Sequence, residues 1–179
     1  MGKKSLAAMG AGAFVTAAAL IGAPATMQSE GMRLVPYYDS VGVKTWCVGE
    51  TEVGYKKKFE KADCDFLYTI RYGYYSMRTM EFYNATAKAV VTPEVHAAVV
   101  DTAYNVGLGA IAKSSIIKKL NAGDAGGACN AILLYKYVGK HDCSAPGNKV
   151  CPGVWTRRVK MNELCKQGVA HVFASADRA

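Results

Sequence analysis

A chain of 179 residues, 51% apolar and 20% charged, with no low-complexity tract and no repeat at solenoid spacing, excludes a disordered protein and a repeat array. The length suits one domain plus an appendage, and the part from Glu30 onward can bury roughly 68–70% of its unfolded surface. A net charge of +8, from 22 basic and 14 acidic residues, draws the chain to polyanions without choosing among nucleic acid, anionic lipid and wall polymers.

Lys3 and Lys4 precede 25 uncharged residues, Ser5–Ser29, in which Leu6, Met9, Phe14, Val15, Leu20 and Ile21 stand among alanines and glycines. That is long enough for a bilayer-spanning helix, which needs about 20 residues. It is also weakly apolar: nine Ala and three Gly fill Ser5–Met27, where an ordinary anchor is dominated by Leu, Ile and Val. Three readings are open. Ala23-Pro24-Ala25 can mark the cleavage site of a secretory signal, the segment can stay as an anchor, or it can be an anchor weak enough to leave the membrane. Each exports the C-terminal domain, because the lysines remain on the cytoplasmic side. The boundary is set accordingly, with 1–29 as the signal-anchor or signal segment and 30–179 as the folded domain.

The six cysteines, Cys47, Cys64, Cys129, Cys143, Cys151 and Cys165, all lie beyond that segment, which suits an oxidising compartment. Spacing alone does not decide connectivity. The pairing adopted is Cys47 with Cys64, Cys129 with Cys165 and Cys143 with Cys151, each joining segments expected to be neighbours. A zinc site at His141, Cys143 and Cys151 is the rival, though it lacks paired C-x-x-C spacing.

From Ser29 to Lys58, turn signals at Asp39-Ser40, Val41-Gly42 and Val53-Gly54 predict short strands and tight turns. The run Lys56-Lys57-Lys58 reads as a solvated turn, with no nucleic-acid partner expected. Phe66, Leu67, Ile70, Tyr74, Met77 and Met80 recur at three- and four-residue spacing and predict one long amphipathic helix that buries them. Thr92-Pro93-Glu94 opens the next helix with a cap, a proline at the first helical position and an acid in the first turn. Asn105-Val106-Gly107-Leu108-Gly109 ends it. Further helices are predicted over Ser115–Asn121, Asp124–Tyr137 and Trp155–Gln167, with Val138–Gly153 as the loop between the last two. His96 reads as structural or exposed, and His171 as part of a C-terminal tail. The architecture is α+β: a small β-hairpin lobe, a larger helical lobe and a cleft between them.

Glu30 and Asp39 stand nine positions apart, and Thr45 comes six further on. Glycosidic cleavage needs an acid to protonate the leaving oxygen and a second group that supplies or stabilises the attack. By spacing alone such a pair is weak evidence. The wider pattern, however, resembles the phage-type lysozymes of glycoside hydrolase family 24, in the branch of signal-anchor-release endolysins. There a Glu-Gly dipeptide is followed at these spacings by Asp and Thr, ahead of a glycine-rich hairpin. Trp46-Cys47-Val48-Gly49-Glu50-Thr51 resembles that hairpin, Tyr104-Asn105-Val106-Gly107 the aromatic-Asn-Val-Gly element, and Gly153-Val154-Trp155-Thr156-Arg157-Arg158 the Gly-x-x-x-Arg-Arg element. Cys47, Cys64, Cys129 and Cys165 resemble the cysteine placement of the exported, membrane-anchored branch. Two departures stand out: Cys47 occupies a position that is usually glycine, and Val159-Lys160-Met161 replaces the acid that commonly follows the arginines.

The resemblance implies a lysozyme-like fold and a muramidase that hydrolyses peptidoglycan, with Glu30 as general acid, Asp39 acting on a water, and Thr45 helping to hold that water. It implies inversion, for which the carboxyl groups stand roughly 6.5–9.5 Å apart. Arg158 either orients Glu30 or is an exposed helix arginine; Asn105 either contacts substrate or caps a turn. No cofactor or metal and a monomeric state are expected. Partners are peptidoglycan and, through residues 5–27, the bacterial inner membrane. If that segment spans the bilayer, Glu30 lies within about 11 Å of its end, so the tethered form is expected to be silent and the form released to the periplasm active. Residues 1–46 hold no cysteine, so thiol exchange within the anchor is unavailable and refolding of the anchor onto the domain is the expected route. A lytic transglycosylase and a non-catalytic wall-binding module are the alternatives.

Overall fold

The computed structural model describes residues 5–39 and 42–176, and of these the side chains of 29, 30 and 172–176 lie outside the description. The uncharged segment forms a single helix, α1 (Ala11–Glu30). It packs on α4 (Pro93–Val106) and α2 (Lys61–Met80). Phe14, Ala18 and Thr26 are fully buried on that side, whereas Leu20 on the other is 77% exposed. A short 3-10 turn, Leu6–Ala8, precedes α1, and the Leu6 amide donates to the Val91 carbonyl at 2.8 Å.

Beyond α1 the chain turns through β1 (Arg33–Tyr38) and β2 (Lys44–Cys47), an antiparallel hairpin with Tyr37 opposite Thr45 and a register irregularity between Arg33 and Tyr37. Cys47 has φ +54°, in the left-handed region that favours glycine. A side chain there costs roughly 1–2 kcal/mol. Its bond to Cys64 on α2 closes a separation of 17 residues, a cross-link that contributes about 3 kcal/mol. The departure from glycine is therefore offset by the staple it makes possible, which ties the hairpin to α2.

Glu60 and Asp63 form a reciprocal capping box at the start of α2. The helix is where it was expected, but its buried face is not. Cys64, Leu67, Tyr68, Tyr72, Ser76 and Thr79 point inward, while Phe66, Ile70, Tyr74 and Met77 are 51–66% exposed. The reason is geometric: α1, α4 and β2 cover one side of α2, and the Cys64 bond fixes which side that is.

Helix α4 is the centre of the helical lobe, with all of Pro93–Ala103 buried. The Thr92 hydroxyl accepts from the Val95 amide, and Gly107 at φ +90° returns its N–H to Ala103 at 2.8 Å. Around it stand α3 (Ala85–Val90), α5 (Leu108–Ala112), α6 (Ser115–Asn121), α7 (Ala125–Ile132) and α8 (Pro152–Ala176). The expected helix Asp124–Tyr137 stops at Ile132 because Tyr137–Val138 (β3) pairs with His141–Asp142 (β4), where Lys136 binds Asp142 at 2.8 Å. Helix α8 starts earlier than expected, at Pro152, as proline's tolerance for a first turn allows. It also continues past Gln167, so His171 lies on a helix, 3.6 Å from Glu94, rather than in a tail.

The three disulfides are Cys47–Cys64, Cys129–Cys165 and Cys143–Cys151, as expected. The zinc reading at His141, Cys143 and Cys151 is overturned, because the two sulfurs are bonded to each other and supply no thiolate ligand.

His96 is structural. It is fully buried, with Ser76 Oγ 2.8 Å from Nε2, the Tyr83 hydroxyl 3.0 Å from Nδ1 and the Phe14 ring 5.3 Å away. Burial holds its pKa down to about 3, well below the ordinary 6.5. The folded state thus binds this proton less readily than the unfolded one. Its contribution to stability is complete above pH 6.5 and is lost as pH falls from there toward 3, at up to about 1.4 kcal/mol per pH unit. We expect the His96 ring resonance not to titrate between pH 8 and 5; a midpoint near 6.5 would contradict the packing.

Candidate active site

The residues expected from sequence lie at the C-terminal end of α1 and in the β-hairpin that follows it. Glu30 is the last residue of α1; its side chain, and with it the expected carboxyl separation, lies outside the described residues. Gly31 comes next at φ +74°, a value that lets the chain turn directly from helix into β1. Asp39 stands just past β1 and Thr45 within β2, and both are tied to one residue. Asp39 Oδ1 accepts from the Val43 amide at 2.8 Å, and the Thr45 hydroxyl donates to the Val43 carbonyl at 3.0 Å. Further bonds from the Asp39 amide to Val43 (2.9 Å) and from the Gly42 amide to Asp39 (3.1 Å) close the turn. Thr45 spends its only proton on Val43, so toward a water it acts as acceptor.

Besides the Cys47–Cys64 bond, two hydrogen-bonded attachments hold the hairpin against the helical lobe. Glu50 is buried, with Oε1 accepting from the amides of Thr51 (2.9 Å) and Glu52 (2.8 Å) and facing Arg71 of α2 at 3.3 Å. The Tyr104 hydroxyl donates to the Val48 carbonyl at 3.0 Å. Tyr104 thereby fixes the neighbouring Asn105 relative to the hairpin.

Arg158 is fully buried, which overturns its reading as an exposed helix arginine. It donates through Nε to the Tyr135 carbonyl at 2.9 Å and through Nη2 to Asn105 Oδ1. Asn105 is therefore engaged with Arg158 rather than capping a turn, and it lines a cavity of about 680 Å³ with Gln28, Val150, Cys151 and Lys160. A second hollow of about 390 Å³ lies beside Leu108, bordered by Glu52, Arg71 and Tyr74. Both hollows border the α4–α5 junction, Asn105 lining one and Leu108 the other.

Sequence reasoning passed over the residue that knits these parts together. Asp101 is fully buried. Arg157 grips it in bidentate fashion, Nε to Oδ2 at 2.9 Å and Nη2 to Oδ1 at 3.1 Å, and Arg158 Nη1 lies 3.9 Å from Oδ2. Thr26 of α1 donates to Oδ1 at 2.7 Å. A signal was present: a lone acid in the apolar run Val99-Val100-Asp101-Thr102-Ala103 of a buried helix calls for a buried cation, and Arg157 was available.

The phage lysozyme family model matches residues 27–161. The chain belongs to the phage lysozyme family. It is 31% identical to the SAR-endolysin of Enterobacteria phage P21 over 93% of this chain and 95% of that one. Identity to the SAR-endolysin of Bacteriophage PS119 is 30%, over 91% and 92% respectively. The active form of the P1 phage endolysin Lyz, 18% identical, shares the fold at a TM-score of 0.66 over 94% of this chain and 97% of that one. This phage lysozyme is accordingly a glycoside hydrolase of the muramidase type, and its fold is the lysozyme-like α+β arrangement expected from the sequence.

Proposed function

We propose that this lysozyme hydrolyses the β-1,4 bonds between N-acetylmuramic acid and N-acetylglucosamine in peptidoglycan, and that it does so only after its first helix has left the bacterial inner membrane. Glu30 protonates the leaving oxygen. A water donates one hydrogen to Thr45 Oγ and the other to Asp39, which takes that proton as the water attacks the anomeric carbon from the opposite face. The product is inverted. Residues 1–29 are the tether in one state; in the other, Ala11 onward is the first helix of the enzyme.

The observation that supports this reading is that one helix meets two requirements. Ala11–Gln28 is long and apolar enough to cross a membrane, yet it is packed on α2 and α4 and ends in the expected acid. Withdrawn into lipid, it would leave the hairpin without its acid in place. The likeness to the active form of the P1 endolysin supports the docked arrangement, since a match over 94% of this chain leaves no room to omit all of α1.

The test is to export the full chain in Escherichia coli and monitor both fractionation and lysis. The protein is expected in the membrane fraction until the membrane potential is collapsed, after which it becomes soluble and the cells lyse. Immediate lysis with no dependence on depolarisation contradicts silent tethering. Mass spectrometry of digested wall is expected to show products carrying one added water; anhydro ends would instead make the enzyme a transglycosylase.

A further inference from the structure

We propose that Thr26 is a positioning residue whose hydroxyl, held by the Asp101–Arg157 pair, sets the register of α1 and so places Glu30. The proposal rests on the reading of Glu30 as the general acid and adds to it a device that puts that acid in place.

Two threonines lie in α1, and they differ in what they meet. Thr16 donates to the Gly12 carbonyl of its own helix at 3.0 Å, in an exposed setting. Thr26 is fully buried, with the Gly22 carbonyl, again four residues back, at 3.1 Å and Asp101 Oδ1 at 2.7 Å as acceptors, and the Tyr68 hydroxyl also lies beside it. A hydroxyl has one proton and gives it to one acceptor at a time. In lipid only the bond within the helix is available, and it satisfies the group where no water can. In the folded enzyme the carboxylate is nearer and charged, and such bonds are about twice as strong as neutral ones. The same side chain is thus tolerated in a membrane and specific in the protein.

The acceptor is rigid. Asp101 is gripped by both nitrogens of the Arg157 fork, inside a buried cluster that also contains Arg158 and, through it, Asn105 beside the larger cavity. Thr26 therefore binds α1 to α4 and α8 at a single point, one helical turn before Glu30. Register matters because a slip of one residue rotates a helix by about 100° and translates it by about 1.5 Å. Phe14 against the His96 ring and Gly22 against Tyr72 also oppose such a slip by fit, and Thr26 adds to them a directional bond to a charged partner. Tyr68 adds a second contact nearby, its hydroxyl donating to the Ala23 carbonyl at 2.8 Å and lying beside Thr26 itself, so it supports the same register.

The experiment compares Thr26→Val, Thr26→Ala and Thr26→Ser in the released full-length protein, at a temperature where circular dichroism shows wild-type helix content. Initial rates on purified peptidoglycan are measured across pH. Loss of the hydroxyl is expected to lower kcat about 10–100-fold, as a displacement near 1 Å does, with KM within twofold, and to shift the alkaline limb of the pH profile. Thr26→Ser is expected to restore both. Either of two results overturns the proposal: kcat within threefold of wild type for both Val and Ala variants, or a loss carried by KM with the pH profile unmoved. Glu30→Gln is assayed in parallel. Activity in that variant removes the acid assignment itself, whereas an inactive Glu30→Gln beside fully active Thr26 variants removes only the lock.

Discussion

Replacing Gly22 with valine is expected to leave the enzyme in the membrane and to suppress lysis roughly 5- to 150-fold. A Cβ at position 22 would lie 2.2 Å from the Tyr72 hydroxyl and 2.9 Å from Ala97 Cβ. Tyr72 is 1% exposed and Ala97 is fully buried, so neither can move aside without disturbing the lobe. Overpacking costs about 1–3 kcal/mol. Position 22 is buried in the docked enzyme as it is in lipid, so hydrophobicity adds little to the difference. That cost corresponds to the predicted loss of about 5- to 150-fold. Gly12→Val serves as the comparison, since a Cβ there meets nothing within 4 Å; it adds the same hydrophobicity without the clash. Because position 12 is exposed in the docked enzyme, Gly12→Val is expected to hinder release through hydrophobicity alone and, once released, to keep wild-type activity, which Gly22→Val does not. Partial rescue of Gly22→Ala by Tyr72→Phe is also expected, because that change removes the atom at 2.2 Å and leaves the ring carbon at 3.3 Å. The Tyr72 hydroxyl has no hydrogen-bond partner among the described residues, so little stability is lost with it. Fractionation of cells before and after depolarisation reads the effect. Equal release of Gly22→Val and wild type would show that docking of α1 does not control activation.

The second large effect is chemical and leaves folding intact. Glu30→Gln is expected to lower kcat about 10²–10⁴-fold, the range over which a positioned proton donor acts. Release from the membrane is expected to be unchanged, because the amide alters neither the length nor the apolar content of Ala11–Gln28. That pairing separates the two variants: Gly22→Val is inactive because it is not docked, Glu30→Gln although it is. Asp39→Asn should fall in the same range. If acid and base serve one concerted step, the double variant is expected to lose little beyond the worse single one, since groups that act as a unit are not additive. Simple multiplication of the two losses would argue that they act independently. Steady-state rates on purified peptidoglycan decide between these outcomes.

The Asp101 cluster explains how α8, which also lines the cavity through Lys160, acts on α1. Removing one partner of a buried ion pair leaves the other charged and unmatched, at a cost of about 3–5 kcal/mol. Here the pair also receives Thr26 and lies beside the arginine that holds Asn105. The helical lobe therefore presents α1 and the α4–α5 junction to the hairpin as one rigid body.

Much of this protein could be read along the chain. The caps at Thr92 and Ser114, the proline and glycine that open and close α4, and the turn chemistry around Asp39 act within a few residues of themselves, so local sequence was sufficient for them. The ordered motifs likewise pointed to the family. Tertiary structure alone decided which side of α2 is buried. Phe66, Ile70, Tyr74 and Met77 form as regular a stripe as the face that won, and periodicity does not say which neighbours will cover it. It also decided that an alanine-rich helix long and apolar enough to cross a membrane packs into the protein core. Both surroundings are apolar, so composition cannot separate them. What separates them is fit and hydrogen bonding: Gly22 against Tyr72, and Thr26 on a carboxylate 75 residues away that is itself held by an arginine 56 residues further on. Those contacts exist only once distant parts of the chain have been brought together.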